Sequence, residues 1–223
     1  MQLLLENFAN IDSLKRIYPL LLQGLVYTFW LSAVALPLGM LLGLAIAVLY
    51  SFRRRWLNIV LLVYIDLFRS FPVVVLLILI FFGLPFLGLT LGGFTAAVLA
   101  IVLNNSGYYG EIFRAGILSV PQGQSDAARA LGFKPLHLIF HVILPQAVRN
   151  VMAPLASNSL ELVKTTPIAA LVALPELLRS ARVAQEQTYN PTPLTAAAVI
   201  FFVMLYPFAR GVARLERQAL KAR

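Results

Sequence analysis

The sequence predicts an all-α membrane protein with five transmembrane helices, and three observations carry that expectation. The chain of 223 residues is 60% hydrophobic and only 12% charged, about half the charged share of a soluble domain. No charged residue occurs from Ile17 to Phe52, from Ser70 to Gly110, or from Gln187 to Ala209, and the stretch between Arg149 and Glu176 is broken only by Glu161 and Lys164. The apolar–polar alternation of a membrane barrel strand is absent. Backbone groups in lipid need partners within their own segment, so these runs read as helices.

The elements follow in chain order. "MQLLLENFANIDSLKR" carries acidic residues and no basic leader, and the apolar run behind it is too long for a signal peptide. It is expected to remain as a short interfacial segment. A spanning helix needs about 20 apolar residues. The first run holds one span, at residues 20–50, in which Gly39 and Gly43 have the G-x-x-x-G spacing of close helix packing. The second run is too long for one helix. Its "FGLPFLGLTLGG" reads as a turn between spans two and three, with span two starting between Trp56 and Pro72. The third and fourth runs give one span each.

Cytoplasmic loops carry the excess of Lys and Arg. With five spans, twelve of the 18 basic residues fall on one side. They are Arg53, Arg54, Arg55, Arg114, Arg129, Lys134, Arg149, Arg210, Arg214, Arg217, Lys221 and Arg223. Lys15, Arg16, Arg179 and Arg182 fall on the other. The bias puts the N-terminus outside and the C-terminus in the cytoplasm. It also accounts for the net charge of +9. These charges flank spans, and no aromatic–basic patch stands apart from them, which argues against nucleic acid as a partner. The absence of Cys excludes disulfides and thiolate metal sites.

One cytoplasmic segment, "SDAARALGFKPLHLIFHVILP", is polar in a greasy chain. Pro121 ends the helix before it. Ser125 or Asp126 can cap a new helix, with Asp126 suiting its positive end. Gly132 is placed to end that helix in the left-handed conformation. "PLHLIFHVIL" follows as a second helical piece, and Pro145 marks the return towards span four. The small Ala127 and Ala128 let another surface approach closely. The segment reads as a docking element on the inner face. His137 and His141 are four apart, but no Glu lies between them as in H-E-x-x-H, so a metal is not expected.

This segment resembles the coupling loop of ABC-importer permeases: Glu-Ala-Ala, three residues, Gly, nine residues, Ile-x-Leu-Pro. Here Asp126-Ala127-Ala128 is followed after three residues by Gly132 and after nine more by Val142-Ile143-Leu144-Pro145. Asp replaces Glu and Val replaces Ile. "GLVYTFWLSAVALPLGMLLGLAIAV", "FRSFPVVVLL", "YYGEIFRAGILSVPQGQSDAARALG" and "LPQAVRN" look like the polar amino acid permeases. The resemblance implies the type I importer permease fold, as one domain over residues 1–223 with its coupling loop at about 121–145. It implies that Asp126, Ala127, Ala128, Gly132, Leu144 and Pro145 couple the chain to a separate ATPase dimer. A second permease chain, the same or a sibling, would complete the membrane part, and a solute-binding protein would deliver an amino acid from outside. The sequence has no G-x-x-x-x-G-K-[ST] phosphate loop. The chain is therefore expected to be no enzyme and to bind no cofactor, with ATP and Mg held by the partner.

Polar residues at membrane depth are costly, and each is a candidate for function. Glu161 in "LASNSLELVKTTPIAAL" could meet the amino group of a substrate, or be neutralised by Lys164, three residues on. Asn158 and Thr165 flank it as further pathway candidates. By resemblance Thr165 stands where the family usually has Asp, and Pro167 where it has Ser. Pro167 also removes a backbone donor, so a break in span four is expected. Asn104, Asn105, Ser106, Tyr108 and Tyr109 either join helices or line the pathway, with joining favoured; Asn104 and Tyr108 share a face. Glu111–Arg114 and Asp66–Arg69 read as i,i+3 pairs. A self-contained carrier or channel is the rival reading, but it usually shows internal repeats and more spans. A membrane-embedded enzyme would need convergent groups beside Glu161.

Overall fold

In a computed structural model of the chain, residues 7–52 and 54–221 are described, the last three of these by backbone alone. Residues 1–6 of the expected interfacial segment, Arg53, the side chain of Lys221, and Arg223 lie outside them. The described residues are mostly helical, with no strand among them. The order is α1 (Ile11–Tyr50), α2 (Arg55–Ser70) and α3 (Val73–Ile78), then a π turn (Leu79–Gly83) and a 3-10 turn (Leu84–Leu87). Next come α4 (Gly93–Leu118), α5 (Gln122–Ala130), α6 (Pro135–Leu138), a π turn (Ile139–Ile143) and α7 (Leu144–Asn150). α8 (Met152–Thr165) passes into a 3-10 helix (Thr166–Val172), and α9 (Leu177–Thr188) and α10 (Thr192–Lys221) complete the chain.

Two helices, α1 and residues 192–218 of α10, are long and apolar enough to cross a membrane. Counting each of two bent pairs as one span gives four. The expected five is thus one more than these criteria supply. α4 is not among the spans so counted, although its 26 residues would extend about 39 Å at 1.5 Å per residue. Its polar stretch from Asn104 to Tyr109 is what dilutes its apolarity.

The chain forms two compact units. One gathers Met1–Ala35, Val73–Ile101 and Leu160–Arg210. Its core packs Ile17 and Leu21 of α1 with Leu177, Ala181 and Ala184 of α9 and Ala197 of α10. Gly24 makes this contact possible: a Cβ there would lie 2.6 Å from Ser180 Oγ and 2.8 Å from Leu177 Cα. One turn on, Thr28 donates to the Gly24 carbonyl at 3.1 Å and accepts the Leu177 N–H at 3.1 Å. The starts of α1 and α10 are tied together as well. Asn10 N–H donates to Thr192 Oγ1 at 3.1 Å, and that hydroxyl donates to the Asn7 carbonyl at 3.2 Å.

The other unit gathers Leu36–Pro72, Val102–Ser159 and Gly211–Arg223. Here α1 crosses α4 at Gly43, where a Cβ would meet Tyr109 Cβ at 2.5 Å and the Gly110 nitrogen at 2.7 Å. The close packing expected of the glycine pair is real at Gly43. At Gly39 the nearest atom is a relaxed 3.6 Å away. α2 ends at Ser70 because Pro72 disfavours helix in the residue before it. The carbonyls this leaves are taken up by Asn104, whose Nδ2 donates to Phe68 O at 2.8 Å and Phe71 O at 3.0 Å.

Candidate functional site

The polar loop is built on a stiff base. α4 and α7 come together where Gly116 faces Ala147, a Cβ at Gly116 being 2.9 Å from the Ala147 carbonyl. Asn150 Nδ2 donates to Ser119 Oγ at 2.8 Å, joining the last turn of α7 to the end of α4. From this base α5 projects. It begins at Gln122, directly after Pro121, and no side chain caps it. The expected cap at Ser125 or Asp126 is therefore corrected. Pro121 has the extended ψ of 136° from which a helix starts, and Ser125 lies within the helix with its side chain buried.

The other end of α5 is as expected. Gly132 has φ +81°. Its N–H donates to Arg129 O at 2.9 Å, and the Phe133 N–H donates to Ala128 O at 3.1 Å. These are the two bonds of a Schellman turn. They fix the direction in which α5 stands. Ala128 and Ser125 face inward, while Asp126, Ala127, Arg129 and Ala130 are exposed. Leu131 is 79% exposed. Asp126 lies 3.7 Å from Arg129, both well exposed, a pair worth about 0–1 kcal/mol. Gln122 Nε2 donates to the same carboxylate at 3.4 Å, also at the surface. Leu144 is partly covered and Pro145 exposed at the start of α7. Pro145 has no N–H for the His141 carbonyl, and the helix widens to a π turn just before it. The His137 and His141 rings stack at 5.4 Å, and the His141 Nδ1–H donates to the His137 carbonyl.

The pathway candidates fall in both units. Glu161 and Lys164 form the ion pair that the sequence left open, at 2.6 Å. Thr165 Oγ1 donates to the Glu161 carbonyl at 2.8 Å. α8 then gives way at Thr166 to the 3-10 helix that holds Pro167, the expected break. Asn104 joins α4 to the end of α2, as described above. Tyr108 OH donates to Arg69 O at 3.3 Å. Asn158 Nδ2 reaches Asn105 Oδ1 at 3.4 Å. Beside them Tyr109 is fully buried and its OH bonds Ser159 Oγ at 2.9 Å.

Two pairings differ in outcome. Arg114 holds Glu111 with two bonds, at 2.8 and 2.6 Å. Arg69 and Asp66 form none of the ion pairs among the described residues. The Arg69 guanidinium lies over the Tyr108 ring instead, at 5.2 Å, where the ring face attracts it.

Sequence reasoning missed Glu176. It is fully buried and caps α9, accepting the N–H groups of Leu178 at 2.9 Å and Arg179 at 2.6 Å. Burial raises its carboxyl pKa. Those two N–H groups and the Arg182 charge draw it part of the way back. Glu is not among the favoured capping residues, so only "PELL" hinted at it.

Long apolar helices and one exposed polar loop on a clamped base define a multi-span membrane protein. The profile of the family described as "Binding-protein-dependent transport system inner membrane component" matches residues 17–221, and the chain belongs to that family. It is 32% identical over 214 residues to the probable glutamine ABC transporter permease protein GlnM of Bacillus subtilis strain 168, covering 96% of this chain and 99% of that one. Over 165 residues it is 38% identical to the L-cystine transport system permease protein TcyB of the same organism, covering 74% of this chain and 70% of that one. The crystal structure of an amino acid ABC transporter with histidines superposes with a TM-score of 0.82 at 35% identity, over 92% of this chain and 97% of that chain. An inward-facing structure of the MetNI methionine ABC transporter has the same fold, with a TM-score of 0.73 at 22% identity, over 92% and 98%. The fold is that of the type I ABC importer permeases.

Proposed function

We propose that the chain is the membrane subunit of an ATP-driven importer that carries a polar amino acid across the cytoplasmic membrane by alternating access. Relatives named as glutamine and cystine permeases, 32% and 38% identical, support an amino acid as cargo. ATP and Mg belong to a separate ATPase dimer, so the permease itself performs no hydrolysis. Its membrane partner is a second permease chain, and a solute-binding protein docks on the outer face. The N-terminus lies outside and the C-terminus in the cytoplasm.

The observation that carries this reading is α5. It is a short helix that exposes Asp126, Ala127 and Leu131, and Gly132 holds it at a fixed angle on a clamped base. Ala127 leaves room for a partner groove, and Asp126 offers it an exposed carboxylate. When the ATPase subunits close on ATP, a helix held this way moves as a rigid lever. Leu144 and Pro145 pass the motion into α7 and on to α8. Such coupling needs a two-state element biased from both sides. At the far end of that path, Glu161, Lys164 and Thr165, with Asn104, Tyr108 and Asn158, are the residues proposed to face the substrate. The Glu161–Lys164 pair would have to open if either group is to meet a zwitterion.

The test is purification of the tagged chain in mild detergent. A stoichiometric ATPase subunit should accompany it and be lost when Ala127→Arg fills the exposed face of α5. A permease that purifies alone and still moves amino acid in ATP-free vesicles would overturn the reading in favour of a self-contained carrier.

A further inference from the structure

The inner end of α1 and the start of α2 carry charge that no carboxylate balances among the described residues. Arg54 and Arg55 are exposed, and Arg53 precedes them. No Asp or Glu occurs between Asp12 and Asp66. The ion pairs among the described residues are Glu111–Arg114, Asp126–Arg129 and Glu161–Lys164, so neither arginine has a carboxylate partner there.

The helix that follows has three edges. Leu61 and Ile65 pack inward with Ile46, and Leu57 and Tyr64 pack beside them. A polar edge bears Arg55, Asn58, Asp66 and Arg69. The third edge is apolar and exposed: Trp56, Val60, Val63 and Leu67 recur at helical spacing and are each at least 49% exposed. Trp56 is the most exposed of them, at 67%, and it sits next to the arginines at the upper end of the stripe. Cations, an amphipathic aromatic ring and an apolar stripe in that order match a phospholipid from phosphate to acyl chain. A soluble protein surface would cover the arginines but would leave the stripe unmatched.

We propose that Arg54, Arg55, Trp56 and the Val60–Val63–Leu67 stripe bind an anionic phospholipid of the inner leaflet. This rests on the cytoplasmic placement of residues 53–56 given above. It goes beyond the general preference of basic loops for the inner face, because it requires a lipid of one headgroup class to sit at one place on the chain. Each basic group near such a surface adds to the attraction, and the zwitterionic lipids offer no net charge to meet it.

The assembled importer in nanodiscs tests this through Trp56 fluorescence, isolated as the difference between the unsubstituted complex and Trp56→Phe. Brominated phosphatidylglycerol should quench Trp56 at a mole fraction at least about fivefold lower than brominated phosphatidylcholine does, in keeping with two added cations at the surface. Arg54→Gln with Arg55→Gln should abolish that preference, and Arg54→Lys with Arg55→Lys should keep most of it. Equal quenching by both lipids in the unsubstituted complex would overturn the proposal. So would loss of the ATPase subunit from the Gln variant in detergent, because the arginines would then belong to a protein contact. Failure of the same complex to take up any amino acid would count against the importer reading instead and leave the quenching comparison standing.

Discussion

Two glycines carry opposite kinds of constraint, and each gives a prediction. Gly132 meets nothing within 4 Å of its absent Cβ, yet its φ of +81° is costly for any L side chain, about 1–2 kcal/mol by general experience. Gly132→Val therefore does not crowd the loop; it turns α5 away from its angle. Amino acid uptake per ATP hydrolysed in proteoliposomes should fall by about tenfold, the equivalent of about 1.4 kcal/mol. Gly123→Ala, which has open space and no left-handed backbone, should leave it unchanged. Gly43 is the reverse case: ordinary backbone but no room, with Tyr109 Cβ at 2.5 Å. Gly43→Ala should destabilise the detergent-purified chain by about 1–3 kcal/mol, the usual cost of overpacking, while Gly39→Ala should melt with the unsubstituted protein. Equal melting of the two variants would mean that α1 and α4 do not cross at Gly43.

Single elements show where the sequence was legible and where it was not. The spans in α1 and α10 were readable from apolar runs alone. The end of α5 was readable because Gly132 sits where a left-handed residue is needed. The start of α5 was misplaced by four or five residues, because Ser125 has the chemistry of a cap but Pro121 sets the backbone that begins the helix. The separation of α2 from α3 could be suspected from Pro72. What completes it could not: Asn104, more than thirty residues away, supplies the two hydrogen bonds for the open carbonyls. Asp66–Arg69 was read as a pair on spacing, and Tyr108 from α4 took the guanidinium instead. Long-range partners of this kind leave no local signal. α9 is the element that depends most on one such residue. Burial raises the Glu176 pKa above its ordinary 4.5, so the folded chain holds that proton more tightly than the unfolded chain does. Stability from this group is therefore present in acid and declines as pH rises from about 4.5 through the raised value. Thermal melting in detergent from acid to neutral pH should show that decline. Glu176→Gln, which keeps an oxygen for the Leu178 and Arg179 N–H groups, should flatten it; an equal slope in the variant would assign the decline to other groups.

At the scale of the whole molecule, the way the ends of the helices are tied bears on whether the chain crosses an odd or an even number of times. Asn10 and Thr192 hold the starts of α1 and α10 together. Beyond that tie, Ile17, Leu21 and Ala197 share one core. The two helices thus start side by side and run in the same sense. A chain whose first and last spans run parallel crosses an odd number of times and has its ends on opposite faces. Two long helices and two bent pairs make four at most; an odd count is reached at three if one bent pair turns back, or at five if α4, which has the length for it, also crosses. Its polar groups are no obstacle, because Asn104 is spent on the α2 carbonyls and Ser106 on Tyr64 and the Leu103 carbonyl. Lipid excludes only polar groups without partners. Of the two orientations, the proposed one follows the charge bias, with Arg210, Arg214 and Arg217 expected inside. The chain has no Cys, so single cysteines can report each end without background. Cysteine placed at Asp12 should react with a membrane-impermeant maleimide in intact cells, and cysteine placed at Gln218 only after permeabilisation. Reaction of both from outside would mean an even number of crossings, and α4 would then not span. Reaction of Gln218→Cys alone would keep an odd number of crossings and invert the chain, which for five spans would turn Asp126 and Gly132 away from any cytoplasmic ATPase.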